Sequence, residues 1–356
     1  MRVAVIGAGA AGLCAARHLS QSQKITRLVV YERSGTIGGT WVYVDKTDYA
    51  RHYDVQKYIK FTENVLGIER VDGAWRVRSE QLTTKAVSSA PYDAVFVCIG
   101  RYFKPNIPSV AGLADFEGRV SHSHEYRCCE EFAGKKVALL GAGPSGTDIA
   151  LELAAVCPEV YLCHAGAKFP EGSLPEKVTQ KAPFKRINKF SITLADNEII
   201  NADAILFCTG YEVEYSFFDE ENLELTVTEG RVQPLYQHTL HQHHPDSLFF
   251  VGLLWKVVPF PVFDVQMRYC MQILHGAIRP PPLKDMRLWE EEDFKLRTQE
   301  LGMKPSHAHE MAHCQWAFLK ELSRLGQFHY PLPPVVQPMY ESGGFSGWKS
   351  SLPRII

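Results

Sequence analysis

The chain has 356 residues, 46% hydrophobic and 22% charged, with a formal net charge of -2. That composition fits a globular protein of about two domains, with a core that needs no disulfide staples. The near-neutral charge excludes the basic field that nucleic acid calls for. No stretch approaches the roughly 18 apolar residues of a membrane span. The nine cysteines include no CxxC pair, so a reducing, cytoplasmic setting is expected, with peripheral attachment to the endoplasmic reticulum left open.

Met1-Arg2 leads straight into the apolar run VAVI, a strand buried on both faces, which leaves no room ahead of it for a signal peptide. There follows Gly7-Ala-Gly9-Ala10-Ala11-Gly12, which opens a helix over AGLCAARHLSQS. A second strand, RLVVYER, reaches Glu32. This order suits a dinucleotide cradle. Gly7 permits the tight turn, Gly9 lets the backbone touch a pyrophosphate, and Gly12 lets helix and strand pack closely. The helix N-terminus favours negative charge, and an acid about 20 residues on accepts hydrogen bonds from a ribose.

Gly38-Gly39-Thr40-Trp41 comes next, then a short polar link to IKF. The strand AVFVCIG closes at Gly100, and KPNIP reads as a loop. FEGRVSHSHEY, residues 116–126, then precedes a second cradle, Gly141-Ala-Gly143-Pro144-Ser145-Gly146. The cradle stands between the strand KKVALL and the helix SGTDIALELAAV. The strand after it, EVYLC, ends at His164 with Lys168 nearby and no acid. An acid there would repel a 2′-phosphate, so this cradle points to NADP rather than NAD. QKAPFKR reads as a loop, ITLADNEII as a hairpin turning at Asp196-Asn197, and AILFCTGY as a strand closing at Gly210. The histidine run HTLHQHHP reads as a polar loop; neither it nor the pair at His122 and His124 is expected to hold metal. Asp264 is expected to cap a helix that stops at Gly276. Two further helices, RLWEEEDFKLRTQEL and one around HEMAHCQWAFLKEL, are expected to pack on the first domain.

Two cradles imply two dinucleotides. The fold class expected is α/β, with two Rossmann-like dinucleotide-binding domains. The FAD-binding domain comprises residues 1–115 and 211–356, and the NADP-binding domain, residues 116–210, is inserted in it. The cofactors carry the hydride chemistry.

Gly38-Gly39-Thr40-Trp41, the F-x-G-x-x-x-H-x-x-x-Y pattern through Phe116, Gly118, His122 and Tyr126, and the two cradles together resemble the flavin-containing monooxygenases. These are class B flavoprotein enzymes; LFCTGY and FVGLLWKVVPFPVFDVQMR look most like insect-type members. The resemblance implies FAD and NADP as cofactors and an NADPH- and O2-dependent reaction of the N,N-dimethylaniline monooxygenase type. It implies that a flavin C4a-hydroperoxide oxygenates a soft amine or sulfide, in xenobiotic metabolism, with no catalytic base named on the protein. It places Gly7, Gly9, Ala10, Ala11, Gly12, Glu32, Gly39, Thr40, Trp41 and Gln266 about the FAD, with Gln266 near the flavin ring. Gly141, Gly143, Pro144, Ser145, Gly146 and His164 fall about the NADP. A homodimer is compatible with it.

The chain departs from the family after Trp41. Family members carry a long segment there, with an asparagine of an N-L-P motif beside the flavin and the nicotinamide. Here a short link replaces it, and several dozen residues are missing. A dry pocket protects reactive intermediates from water. The gap therefore raises two alternatives: an uncoupled NADPH oxidase releasing hydrogen peroxide, or a truncated non-catalytic isoform. A disulfide reductase is set aside, since no cysteine pair follows the first cradle.

Overall fold

A computed structural model describes residues 1–41, 48–218 and 223–342. The chain separates into two compact units, Met1–Arg101 with Val213–Ile356, and Tyr102–Glu212. The second is therefore inserted in the first.

The first unit is built on a seven-stranded sheet. Its order is Leu235–Tyr236, Leu240–His241, Leu248–Phe250, Ala94–Val97, Arg2–Ile6, Arg27–Tyr31, Ile59–Lys60. The pairs from Leu248–Phe250 to Ile59–Lys60 are all parallel. Covering both faces of a parallel sheet explains the unbroken apolar runs. Side chains alternate along a strand, so Val3 and Val5 enter one core with the helices Ala10–Ser20, Pro259–Leu274 and Gln315–Leu325. Ala4 and Ile6 enter another, with Trp75, Val77 and Tyr92. Those three come from an antiparallel sheet of Glu63–Val71, Ala74–Gln81 and Val87–Tyr92. The tail helices belong to this unit as expected, through Met286, Trp316, Leu319 and Leu322.

The second unit holds a five-stranded, all-parallel sheet. Its order is Val178–Lys181, Glu159–Cys163, Lys136–Leu140, Ala204–Phe207, Arg119–His122. The helix Pro144–Leu153 covers one face, through Ile149, Ala150 and Leu153. The hairpin of Ser191–Leu194 and Ile199–Asn201 covers the other. Asn197 takes a left-handed φ of 69° at its turn.

Several expectations need correction. The first unit gives way to the second at Tyr102 rather than Phe116, while the return, at Val213, lies within a few residues of Gly210. Lys104–Pro105 pairs with Tyr211–Glu212, and Ala111 bridges Arg186, so residues 102–115 are fastened to the second unit. QKAPFKR is no loop, since it supplies parts of the strands Val178–Lys181 and Phe184–Ile187. The helix expected around HEMAHCQWAFLKEL begins at Gln315; the residues before it make only a short turn, Ala312–Cys314.

The helix expected to start at Asp264 begins at Pro259. Proline suits the first turn, where its missing N–H is no loss. Asp264 is inside the helix, and its carboxylate meets His18 Nε2 at 2.8 Å and Arg268 Nε at 2.7 Å. The histidine run is no solvated loop either: His238 to Gln242 are buried, and Leu240–His241 is a sheet strand. The polarity of His238 is met from distant sequence. His309 Nε2 accepts from the Val232 N–H at 2.9 Å, and the two Nδ1 atoms of His309 and His238 lie 3.1 Å apart. With Nε2 of His309 accepting, its proton sits on Nδ1 and is donated to His238.

Candidate dinucleotide-binding sites

Each cradle lies at the carboxyl end of a central parallel strand, where open α/β sheets bind their ligands. The two have the same local geometry. Gly7 and Gly141 take φ values of 98° and 110°, a region that only glycine enters without strain. A Cβ on Gly7 would stand 2.9 Å from the Cys98 carbonyl oxygen, and one on Gly141 would stand 2.4 Å from that of Cys208. Gly9 and Gly143 are the N-caps of their helices, both with φ -72° and ψ -175°. The helices then start at Ala10 and Pro144.

In the first unit the carboxylate of Glu32 closes the cradle. One oxygen accepts from the Ala8 N–H and the other from the Ser34 N–H, both at 2.7 Å. The turn Gly39–Trp41 closes the other side. The Gly38 N–H donates to the Ala8 carbonyl at 3.0 Å, and Gly38 bridges Gly9. Gly39, at φ 57°, brings its backbone so close that a Cβ there would lie 3.0 Å from Gly9 Cα. The structure thus gathers Gly7, Gly9, Ala10, Ala11, Gly12, Glu32, Gly39, Thr40 and the main chain of Trp41 around one turn. Among the described residues no side chain fills the space over Gly9: a Cβ there would meet only Gly39 backbone, at 3.7 Å. The residues present fit a dinucleotide.

Gln266 is not gathered there. Expected near the flavin ring, it is fully buried and bonded within the protein, to Thr239 and Gly252. The sequence reading missed Gly252. Its φ of 88° puts its backbone against the first cradle helix, where a Cβ would stand 2.7 Å from that of Ala11. A glycine directly after an apolar strand was the available signal.

In the second unit a Cβ on Gly143 would meet nothing within 4 Å, so the cradle is open there. Pro144, Ser145 and Gly146 form the first turn of the helix. His164 follows the neighbouring strand, with Nε2 3.3 Å from Gln180 Oε1. That oxygen also accepts from the Phe169 N–H at 2.7 Å, while Gln180 Nε2 donates to the Phe169 carbonyl at 3.2 Å. Gln180, missed in the sequence, therefore closes the loop that carries Lys168. This cradle fits a dinucleotide too.

The FEGRVSHSHEY stretch is architecture of the second unit. Gly118 admits no side chain, since a Cβ would be 2.4 Å from the Asp203 carbonyl oxygen and 2.6 Å from the Phe116 ring. His122 Nδ1 accepts from the His124 N–H at 3.0 Å, which leaves the ring proton on Nε2. Burial holds its pKa below the ordinary value. Tyr126 donates to Glu152 Oε2 at 2.8 Å, on the second cradle helix.

A model described as flavin-binding monooxygenase-like matches residues 46–170 and 165–325, and a model for an NAD(P)-binding Rossmann-like domain matches residues 5–63. The chain belongs to the flavin-binding monooxygenase-like family. Its cofactors are FAD and NADP(H). Among curated relatives of this monooxygenase, flavin-containing monooxygenase FMO GS-OX-like 4 of Arabidopsis thaliana is 28% identical over 388 residues, covering 89% of this chain and 85% of the relative. The S-allyl-L-cysteine S-oxygenase of Allium sativum has a similar structure, with TM-score 0.82 and 25% identity, over 96% of this chain and 91% of that one. Cyclohexanone monooxygenase from Rhodococcus sp. Phi1 shares the fold at 14% identity and TM-score 0.64, over 91% and 96%. The 388-residue alignment is longer than this monooxygenase itself. The Arabidopsis relative therefore carries residues with no counterpart here.

Outside the cradles, Cys14, His18 and Asp264 bring three donor atoms within 4.8 Å of one another. Arg17 and Arg268 stand 3.6 Å and 2.7 Å from the Asp264 carboxylate, so cationic side chains already neutralise it. Burial pushes the Cys14 thiol up to about 12. Among the described residues no helix is long and apolar enough to cross a membrane.

Proposed function

We propose that this flavin monooxygenase uses NADPH and O2 to oxygenate soft nucleophilic nitrogen or sulfur atoms of small molecules. The observation that carries the reading is the pair of matched cradles within one chain of this family. In it, Gly7, Gly9, Ala10, Ala11, Gly12, Glu32, Gly39, Thr40 and Trp41 hold FAD. Gly141, Gly143, Pro144, Ser145, Gly146 and His164 hold NADP. Sulfur is favoured as the target atom because the similar Allium protein is named an S-oxygenase.

When bound, the flavin and nicotinamide supply hydride transfer and the activation of dioxygen. The protein binds and orients. The backbone donors at Ala10 and Ser145 would face anionic phosphates at helix N-termini, since Pro144 has no N–H to give. Glu32 is held in place by the Ala8 and Ser34 N–H groups and turns its remaining lone pairs to a ribose.

The test starts with the visible spectrum of the purified protein, followed by NADPH without oxygen. Flavin absorbance that bleaches, then sulfoxide or N-oxide in step with NADPH consumed once oxygen enters, is the expected outcome. A protein still colourless after soaking in FAD would sink the reading.

A second reading has its own support in the residues that the Arabidopsis relative has and this chain lacks. Loss of one wall of a dry pocket lets water reach the reacting atoms. The chain would then be an NADPH oxidase. Hydrogen peroxide equal to NADPH consumed, unchanged by any sulfide or amine, distinguishes it.

A further inference from the structure

Gln266 stands fully buried in the middle of the helix Pro259–Leu274. Its Nε2 donates to Thr239 Oγ1 at 2.9 Å, and its Oε1 accepts from the Gly252 N–H at 3.4 Å. The orientation of the amide follows from its partners. The Gly252 N–H can only donate, so an oxygen faces it. The Thr239 hydroxyl already donates to the Gln237 carbonyl at 2.7 Å, so it accepts from the nitrogen.

Both partners lie on the chain that flanks the sheet strand Leu248–Phe250. The Phe250 N–H donates to the Thr239 carbonyl at 2.8 Å, and the Val251 N–H to the Val97 carbonyl at 3.0 Å. Gly252 follows at once, where the chain leaves the carboxyl edge of the sheet. Its backbone lies so near Ala11 that a Cβ would stand 2.7 Å from the Ala11 Cβ. Ala11 is inside the first cradle, the second residue of its helix. A line of contact therefore runs from Gln266 through Gly252 to the cradle backbone.

We propose that Gln266 is a positioning residue for the FAD cradle. It holds the Gly252 main chain against Ala11 and so fixes the first helical turn on which the pyrophosphate rests, without touching the cofactor. A glutamine suits this task, because one side chain supplies an acceptor for a buried N–H and a donor for a buried hydroxyl. Leucine at this site would leave the Gly252 N–H unpaired in the core and free to shift, while the Thr239 hydroxyl would keep its bond to the Gln237 carbonyl. The proposal rests on the reading that the first cradle takes FAD.

The experiment compares wild type, Gln266→Leu, Gln266→Glu and Thr239→Val, each freed of flavin. Two quantities are measured: the FAD dissociation constant, by quenching of flavin fluorescence, and the melting temperature of the apoprotein. Gln266→Leu is expected to weaken FAD about tenfold, the effect of losing roughly one buried hydrogen bond. Thr239→Val removes the other bond of the same amide and is expected to lower the melting temperature while leaving the FAD constant within about twofold. Gln266→Glu, measured at pH 6, keeps an oxygen for the Gly252 N–H and is expected to recover most of the affinity; if the leucine variant does not fold, a loss of about tenfold in this glutamate variant overturns the proposal.

Equal FAD affinity in wild type and Gln266→Leu would overturn the proposal, as would equal weakening by Thr239→Val. Wild-type apoprotein that takes up no FAD at all would instead bring down the cofactor reading, and this proposal with it. The two failures are thus told apart by the wild-type titration alone.

Discussion

Gly12 lies against Gly7 so tightly that a Cβ on Gly12 would stand 1.8 Å from the Gly7 carbonyl oxygen; for Gly146 and Gly141 the distance is 2.0 Å. Both obstacles are backbone, which cannot swing aside. A methyl at either site must therefore push helix and strand apart. Gly12→Ala is expected to abolish FAD binding and to lower stability by several kcal/mol, on the scale of overpacking a close contact, about 1–3 kcal/mol or more. Gly146→Ala is expected to leave the flavin spectrum intact and to abolish its bleaching by NADPH. Anaerobic titration of the two variants side by side checks this. Loss of flavin from both would show that the cradles are not separable.

Glu32 joins the end of the second strand to the cradle and to the turn beyond. Replacing it by alanine strands two N–H groups, those of Ala8 and Ser34, at about 1–3 kcal/mol for each that stays out of water. It also removes the ribose acceptor. FAD affinity is expected to fall by roughly tenfold to a hundredfold in Glu32→Ala, and by less in Glu32→Gln, which keeps one acceptor. Unchanged affinity in both, measured by equilibrium dialysis, would take Glu32 out of the FAD site.

The cradles were legible because everything they need is local. A glycine pattern between a buried strand and a helix has few other uses, and Glu32 sits at a spacing set by one strand-helix-strand unit. Gln266 and the histidines were not legible, because their partners lie far away in sequence. Nothing near His238 announces that His309 will meet it, and a run of polar residues reads as solvated until its partners are known. Asp264 misled for a related reason. It resembles a cap, yet Pro259 is as good a helix start, and the choice between them depends on His18 in another helix. The unit boundary was misplaced because the pairing of Lys104–Pro105 with Tyr211–Glu212 is also long-range.

The His18–Asp264 contact ties the first cradle helix to the helix Pro259–Leu274. Burial raises the Asp264 pKa, but its bonds to His18 and Arg268 outweigh this and hold it at about 2. A carboxylate with a depressed folded pKa gives stability that is present above its ordinary value of 3.8 and lost as pH falls towards 2. Asp264→Asn is expected to cost about 1–3 kcal/mol at pH 7, with most of the difference from wild type gone near pH 2. Urea midpoints across that range check it; a variant as stable as wild type at pH 7 would show the contact to be idle.

Three buried histidines set the response at milder acidity. Burial lowers the pKa of His241 from 6.5 to about 3, with His244 and His243 adding to the effect. Burial, then nearby arginine or histidine, pushes His238 and His309 well below 6.5. In the unfolded chain each would take up a proton near 6.5, before the folded protein does. Stability is therefore present above pH 6.5 and falls as pH drops below it, by about 1.4 kcal/mol per pH unit for each histidine that stays neutral in the fold. Glu290 and Asp293 beside this cluster have carboxyls raised by burial. They oppose the trend only as they take up protons, so pH 7.5 to 5.5 is the informative window. His241→Leu removes one group, and its slope of unfolding free energy against pH is expected to be shallower than wild type by one histidine's share. Identical slopes, measured by denaturant titration at pH 7.5, 6.5 and 5.5, would mean that His241 charges in the folded protein, and that the strand Leu240–His241 opens to water in mild acid.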